Sequence, residues 1–248
     1  MIIIKSDNEV QHMRKAGRVV AQAHEILAEA IRPGISTIKL DQLVEEFMLK
    51  VGAIPSFKGY RGFPASICAS VNEVVVHGFP GERILVEGDI IGVDIGAIVD
   101  GFHGDAAYTY PVGEVSALAQ RLLQVTKEAL YKGITQAVVG NRLGDVSHAV
   151  QTHVEAAGFS VVRDYVGHGI GRTMHERPEI PNYGPAGKGP RLRSGMTLAI
   201  EPMVNTGGAE VQVMADQWTV VTCDASLSAH YEHTIAVTDN GPEILTTL

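Results

Sequence analysis

The stretch IIGVDIGAIVDGFHGD, residues 90–105, carries the clearest structural signal in the sequence. Its first ten residues are mainly β-branched and apolar, interrupted by Asp94, which is typical of a buried strand. The dipeptide Asp100-Gly101 then favours a two-residue turn of the kind that joins antiparallel strands. Such a turn places Val99 opposite Phe102. Residues 90–105 therefore predict a β-hairpin.

This register brings two carboxylates together. Asp94 would face Ala107, and Asp105 would occupy the diagonal position on the same face of the sheet. An ionised carboxylate in an apolar strand is costly unless something compensates its charge. Two converging carboxylates also repel each other unless a proton or a cation lies between them. A carboxyl dyad and a metal site are both open at this point.

Helical patterns precede the hairpin. Ser6 with Glu9 three residues later forms a capping-box pattern, and Pro33-Gly34 ends the helical spacing that follows it. A second helix is predicted from near Thr37 until just before Gly52. The chain thus begins with two helices and continues into strands.

The order of elements then repeats. Helical spacing returns after the hairpin, with Asp145 expected to cap a fourth helix, and a second strand-rich region follows. For the helices alone, coincidence explains the match equally well. The segment that leads to Glu201 also resembles the one that leads to Asp94, however, so two acids occupy equivalent places. We predict one α+β domain, residues 1–248, with related halves of about 1–110 and 111–248.

Composition limits the classes of partner. The chain has 248 residues and a net charge of −8, and its Lys and Arg residues are scattered, so nucleic acid is not an expected ligand. No stretch has the length and apolarity of a membrane span or a signal peptide. The two cysteines, Cys68 and Cys223, imply no disulfide framework. These features favour a cytoplasmic protein.

Three further residues could act as metal ligands. His168 lies between glycines that let its imidazole approach a small ligand, Glu201 ends an apolar run, and Glu232 lies beside another. Together with Asp94 and Asp105 they form a ligand set suited to two divalent ions. The alternative interpretation is a set of separate surface acids and a core histidine. Spacing does not decide between the two.

A resemblance to a known family bears on this choice. Six motifs occur in the order found in methionine aminopeptidases, and the similarity spans nearly the whole chain. The motifs are Ser70-Val71-Asn72-Glu73-Val74-Val75-Val76-His77-Gly78, Val93-Asp94-Ile95-Gly96, Gly104-Asp105, Gly167-His168-Gly169-Ile170-Gly171, Ile200-Glu201-Pro202 and Glu232-His233-Thr234. The chain is similar to the short bacterial form of type I. The resemblance implies the pita-bread fold, with curved antiparallel sheet at the centre, outer helices and pseudo-two-fold symmetry.

The resemblance also implies the metal ligands. By analogy with the family, Asp94 binds one ion, His168 and Glu201 bind the other, and Asp105 and Glu232 bridge both. The ions are expected to be cobalt, manganese, iron or zinc. Water activated by the two ions would attack the first peptide bond. The expected activity is removal of the N-terminal methionine from nascent proteins whose second residue is small.

Other roles follow from the same motifs. His77 and His175 match family histidines that contact the substrate, and Glu201 is a candidate proton shuttle. His103, His230 and His233 are candidates for contacts to the ligands. The methionine pocket is expected to comprise Tyr60, Phe63, Cys68, Met174 and Trp218. Met174 departs from the family, where phenylalanine is usual, and Phe57 falls where a smaller residue is often found.

A monovalent cation is a further expectation. Asn72, Val74 and Ser228 align with a site for such an ion in some family members. Backbone carbonyls contribute to that site, so the sequence constrains it weakly.

Two other functions are open. An X-Pro aminopeptidase or prolidase would share the fold and ligands, although those enzymes usually carry a further N-terminal domain. A metal-free binding module on the same fold would usually have lost ligands, and here every ligand position is filled. The family implies nascent polypeptide N-termini as partners, a transient ribosome contact and a monomer.

Overall fold

The computed structural model describes residues 1–248. It contains four α-helices and fifteen β-strands, which confirms the predicted α+β class. None of the helices is long and apolar enough to cross a lipid bilayer. The helices are α1 (Asp7–Ala30), α2 (Thr37–Lys50), α3 (Ala117–Thr135) and α4 (Leu143–Ala156). The strands are β1 (Ile54–Pro55), β2 (Ile67–Val71), β3 (Val74–Val76), β4 (Ile90–Val99), β5 (Phe102–Pro111), β6 (Ser160–Val161), β7 (Gly167–Gly169), β8 (Glu176–Ile180), β9 (Thr197–Ile200), β10 (Met203–Asn205), β11 (Val211–Val213), β12 (Val220–Thr222), β13 (Ser228–His230), β14 (His233–Thr238) and β15 (Gly241–Ile244).

Helix α1 begins where the capping box predicts. The Ser6 hydroxyl accepts a hydrogen bond from the backbone N–H of Glu9, and the Glu9 carboxylate accepts one from the backbone N–H of Ser6. Helix α4 differs from the prediction, because Arg142 and not Asp145 is its N-cap residue. Asp145 lies in the first turn, where its carboxylate accepts a hydrogen bond from Arg142 N at 2.7 Å. From this position inside the helix, the carboxylate still compensates the partial positive charge at the helix N-terminus.

Strands β4 and β5 form the predicted hairpin in the predicted register. Val99 pairs with Phe102, and Asp94 pairs with Ala107. Asp105 lies two positions before Ala107 on β5, and this places it diagonally from Asp94. The convergence of the two carboxylates on one sheet face is therefore confirmed.

Antiparallel sheets occupy the centre of the molecule. Strand β4 pairs with β5 along one edge and with β1 and β2 along the other. The second half contributes a five-stranded sheet in the order β15-β14-β9-β7-β8 and a three-stranded sheet in the order β13-β10-β6. A further sheet, β11-β12-β3, takes β3 from the first half and the other two strands from the second. This shared sheet joins the two halves.

The apolar core has three main parts. One part packs α1 and α2 against β2 and β4, and another packs α3 and α4 against strands of the second half. The third part lies between them, where Phe63 and Cys68 of the first half meet Ile170 and Met174 of the second. A cavity beside this third part contains the candidate site.

Close backbone contact fixes α1 against β5. A Cβ atom on Gly17 of α1 would lie 2.1 Å from the carbonyl oxygen of Leu245, and one on Gly104 of β5 would lie 2.7 Å from the backbone nitrogen of Gly17. Neither position leaves space for a methyl group. The absence of side chains here lets the helix approach the strand that carries Asp105.

We expect Gly17→Ala to destabilise the protein by roughly 1–3 kcal/mol, because the added methyl group would overpack the contact between α1 and the backbone of Leu245. This loss opposes the gain of about 1 kcal/mol that alanine usually brings over glycine inside a helix. Urea unfolding measures the difference. Arg18→Ala, at the exposed neighbouring position, is the matched control and should change stability by less than about 0.5 kcal/mol. A Gly17→Ala variant as stable as the parent would refute the close-packing argument.

Candidate metal centre

Five potential ligands line one cavity of about 150 Å³. Asp94 lies on β4, Asp105 on β5 and His168 on β7, whereas Glu201 directly follows β9 and Glu232 directly precedes β14. The hairpin register accounts for the first pair alone. The structure brings the other three residues to the same cavity from distant parts of the chain.

The donor atoms are close enough to share ions. His168 Nε2 lies 3.8 Å from Asp105 Oδ2 and 3.6 Å from Glu201 Oε1. The ligand atoms of Asp105, His168 and Glu232 lie within 4.8 Å of one another, as do those of Glu201, His230 and Glu232. Glu232 belongs to both groups. A carboxylate placed in this way has the position that a bridging ligand needs.

Burial makes this cluster unfavourable unless positive charge compensates it. Burial raises the pKa of Asp94 to about 7, although His230 acts in the opposite direction, and it raises the pKa of Glu201 to about 8. Burial and then the neighbouring carboxylates raise the pKa values of Asp105 and Glu232 well above their usual range. No lysine or arginine forms an ion pair with these four carboxylates.

Unpartnered oxygens indicate what the cluster is built to hold. Asp94 Oδ1, Asp105 Oδ1 and Glu232 Oε1 are buried and accept no hydrogen bond. Buried polar atoms of this kind are rare in folded proteins and need an explanation. A dyad sharing one proton would satisfy two carboxyl groups, whereas this cavity holds four together with an imidazole. The residues present therefore fit divalent cations with an oxygen-rich shell.

His168 presents a neutral nitrogen to the cluster. Its Nδ1 lies 2.9 Å from the carbonyl oxygen of Gly169, so Nδ1 carries the proton and donates to that carbonyl. Burial, followed by the effect of His175, lowers the pKa of His168 to about 3, and the ring stays neutral at pH 7. The lone pair on Nε2 then faces the carboxylates. This is the usual arrangement of a histidine that binds a metal.

His77 enters the same cavity from a strained backbone position. It follows β3 with a positive φ of 60°, which is uncommon for a residue other than glycine and occurs most often at functional sites. Burial, with smaller contributions from His230 and His175, lowers the pKa of His77 to about 4. Its ring packs edge-on against Trp218, with 6.2 Å between the centroids.

His175 is held between an aromatic residue and a candidate ligand. Its Nδ1 lies 2.8 Å from the Tyr60 hydroxyl, and its ring centroid lies 4.3 Å from that of His168. Burial lowers the pKa of His175. The two histidines that resemble substrate-contacting residues therefore line the metal cavity as neutral rings.

Aromatic and sulfur-containing side chains form the remaining wall. Phe63 packs edge-on against Trp218, with centroids 5.2 Å apart, and Cys68 pairs with Asp94 across β2 and β4. All the side chains expected in a methionine pocket line the cavity: Tyr60, Phe63, Cys68, Met174 and Trp218. Phe57 also lines it. Both cysteines are free, so the chain has no disulfide bridge.

One lining residue was not found from the sequence. Arg61 belongs to the short 3-10 turn Tyr60–Gly62 and places its guanidinium carbon 5.3 Å from the Tyr60 ring centroid. It is the only lysine or arginine on the cavity wall. Its place between two predicted pocket residues, Tyr60 and Phe63, was the available signal.

The residues aligned with a monovalent-cation site lie near the start of β3. Ser228 N donates to the carbonyl oxygen of Asn72 at 2.9 Å. The Asn72 side chain is satisfied by Asp89 and by the N–H of Ile90. Val74 begins β3 beside them. An ion at this place stays a prediction.

Comparison with known proteins agrees with this site. Residues 11–239 match the family model described as Metallopeptidase family M24. The chain is 60% identical over 246 residues to "Methionine aminopeptidase 1" of Bacillus subtilis, and 58% identical over 247 residues to a Clostridium acetobutylicum "Methionine aminopeptidase", with 99% of each chain covered. A crystal structure of methionine aminopeptidase from Thermotoga maritima superposes with a TM-score of 0.99 at 51% identity and full coverage of both chains.

The chain therefore belongs to metallopeptidase family M24. Its fold is also that of an Xaa-Pro dipeptidase from Bacillus anthracis, with a TM-score of 0.79 at 25% identity, but the chain covers only 62% of that protein. The relatives matched along their whole length place it among the methionine aminopeptidases of the family. The predicted family and pita-bread fold are confirmed.

Proposed function

We propose that this protein removes the N-terminal methionine from polypeptides whose second residue is small, as a dinuclear metallohydrolase. The observation that carries the proposal is that candidate metal ligands and an apolar wall line the same cavity. Four carboxylates and His168 line this cavity, together with the apolar side chains of Met174, Phe63 and Trp218, which pack in one cluster and form its apolar wall. A methionine side chain suits the apolar wall, because thioethers pack favourably against aromatic rings.

Each candidate ligand has a proposed place. Asp94 would hold one ion, and His168 with Glu201 would hold the other. Asp105 and Glu232 would contact both, which accords with their burial and with the shared position of Glu232. When bound, such ions would supply Lewis acidity for the scissile carbonyl and lower the pKa of water.

The remaining groups bind the substrate and move protons. The apolar wall would hold the methionine side chain and exclude water from it. His77 and His175 are neutral at pH 7, so each ring has one N–H to donate to the peptide group. His175 Nδ1 is engaged with Tyr60, which leaves its Nε2 for the substrate. Glu201, held as a carboxylate by a bound cation, would take a proton from water and return it to the leaving amine.

The proposed setting follows the family. Nascent polypeptides in the cytoplasm would be the physiological substrates, met during transient contact with the ribosome. The enzyme would act as a monomer, as the resemblance to the family implies. Cobalt, manganese, iron and zinc all suit the donor set. Titration of metal-free protein with each ion, followed by peptide hydrolysis, would identify the most effective one.

We expect Met-Ala-Ser to be cleaved at least 100-fold more efficiently, in kcat/KM, than Ala-Pro-Ser. The reason is that only the methionine side chain of the first peptide packs against the whole apolar wall. Alanine lacks the second methylene, the sulfur and the terminal methyl group, and losing these buried contacts lowers transition-state binding steeply. Met-Leu-Ser tests the requirement for a small second residue. Norleucine-Ala-Ser is the matched control, because it keeps the shape without the sulfur. Dominant cleavage of X-Pro peptides would favour the prolidase alternative, and absence of bound metal would favour the binding module.

A further inference from the structure

A buried ion pair lies beneath the loop that carries His175. Lys5 belongs to the N-terminal segment before α1, and its ammonium group contacts Glu176 Oε2. Only 3% of the Lys5 side chain and 5% of the Glu176 side chain are exposed. Lysine is almost never buried to this degree without a partner. Apart from Glu176, the Lys5 ammonium contacts only the carbonyl oxygen of Ile3, at 3.4 Å.

Glu176 connects this pair to the active-site loop. It directly follows His175 and begins β8, where it pairs with Gly169 beside an irregularity in the β7–β8 register. Its Oε1 accepts a contact from the N–H of Thr173 at 3.5 Å, while Oε2 faces Lys5. One carboxylate thus contacts the loop on one side and the N-terminal segment on the other.

Two glycines let the chain approach the pair closely. A Cβ atom on Gly171 would lie 2.5 Å from Glu176 Oε1 and 2.5 Å from Lys5 Cε. Lys5 N donates to the carbonyl oxygen of Gly195 at 2.7 Å, and a Cβ atom on Gly195 would lie 2.5 Å from the Lys5 carbonyl oxygen. The ion pair therefore fills the space between the N-terminal segment and the start of the His175 loop.

We propose that Lys5 is a positioning residue for hydrolysis, which acts through Glu176 to fix residues 171–175 over the metal cavity. The inference rests on the proposed function. The His175 ring makes one side-chain hydrogen bond, to Tyr60, so its position also depends on the backbone of its loop. Met174, on the same loop, forms part of the apolar wall. A displacement of about 1 Å at such groups can reduce turnover on the order of 100-fold.

The first test is Lys5→Met, which keeps an unbranched side chain only one atom shorter and removes its charge. We expect kcat for Met-Ala-Ser to fall at least tenfold at a temperature well below unfolding, with metal content unchanged. Lys5→Arg should restore most of the activity, because it restores the cation. Lys15→Met, which removes an exposed lysine paired with Asp100, is the matched control and should leave kcat unchanged.

Two further measurements separate positioning from stability. Adding Lys5→Met to a Glu176→Gln variant should change kcat less than twofold, because the two residues act as one unit. In metal-free protein, amide hydrogen exchange of residues 171–175 should accelerate in Lys5→Met and not in Lys15→Met. A Lys5→Met variant that loses thermal stability but keeps kcat and slow exchange would overturn the proposal, as would multiplicative effects in the double variant. Failure of the proposed function would appear instead in the unsubstituted protein, as absence of Met-Ala-Ser cleavage.

Discussion

Asp105→Asn is expected to abolish hydrolysis of Met-Ala-Ser and to weaken binding of both metal ions. Asparagine keeps the shape of the side chain but removes the charge that two ions would share. Loss of an outer contact to a ligand already costs roughly 10–100-fold in metal affinity or activity, so loss of a bridging ligand should cost more. Hydrolysis rates and the metal content after dialysis measure the two effects.

The same substitution should stabilise the metal-free protein. The pKa of Asp105 is raised well above its usual value by burial and by Asp94 and Glu201. A carboxyl group with a raised pKa in the folded state favours folding fully below its unfolded pKa, and this contribution is lost as pH rises through the folded pKa. Asp105→Asn has no carboxyl group to ionise at this position, so it does not lose this stability as pH rises. Its advantage over the parent should therefore be small at pH 4 and reach roughly 1–3 kcal/mol at pH 8.

Added metal should reverse this order. A divalent ion at 100 times its dissociation constant stabilises the folded protein that binds it by about 2.7 kcal/mol. The parent should gain this stability and Asp105→Asn should gain little. Asp100→Asn, in the exposed turn of the same hairpin, is the matched control and should leave metal binding unchanged. Full metal stoichiometry in Asp105→Asn would refute the bridging role.

His77→Ala is expected to reduce kcat/KM for Met-Ala-Ser on the order of 100- to 1,000-fold, the usual range for loss of a hydrogen-bond donor to the transition state. His77 lines the cavity but belongs to neither group of close metal donors. Metal content should therefore stay at the parental level. Because burial lowers the pKa of His77 to about 4, the loss should be similar at pH 6.5 and pH 8.

Backbone strain at His77 requires a second variant. Its φ of 60° is disfavoured for alanine, whereas asparagine adopts this left-handed conformation more readily. His77→Asn should therefore keep the parental melting temperature and still show the loss of activity. His148→Ala, which removes an exposed histidine of α4, should have no effect on hydrolysis. Loss of metal together with activity in His77→Asn would make His77 a structural support of the centre.

The sequence by itself determined the local features. The β4–β5 hairpin and its register followed from a two-residue turn, because side chains alternate with period two and one turn sets every pair beyond it. The start of α1 followed from Ser6 and Glu9, because a helix cap depends only on residues close together in the sequence. The α4 cap was wrong by three residues, because a carboxylate can serve from the cap position or from the first turn.

Resemblance to a family supplied what single residues could not. Physical reasoning from the sequence reached an acidic pair that needs a proton or a cation. The second ion, the substrate and the roles of His77 and His175 came from ordered motifs across the chain. The matches to M24 relatives confirm the family and the activity. The individual roles stay predictions, to be decided by the variants described above.

Only the tertiary structure decided how distant segments meet. It brought His168, Glu201 and Glu232 to the hairpin acids, placed Arg61 on the cavity wall and buried Lys5 against Glu176. These contacts join residues far apart in the chain, and they depend on how sheets and helices pack, which neither periodicity nor turn chemistry encodes. The sequence shows that Asp94 and Asp105 need a proton or a cation between them. The packing of the two halves determines which other groups surround them.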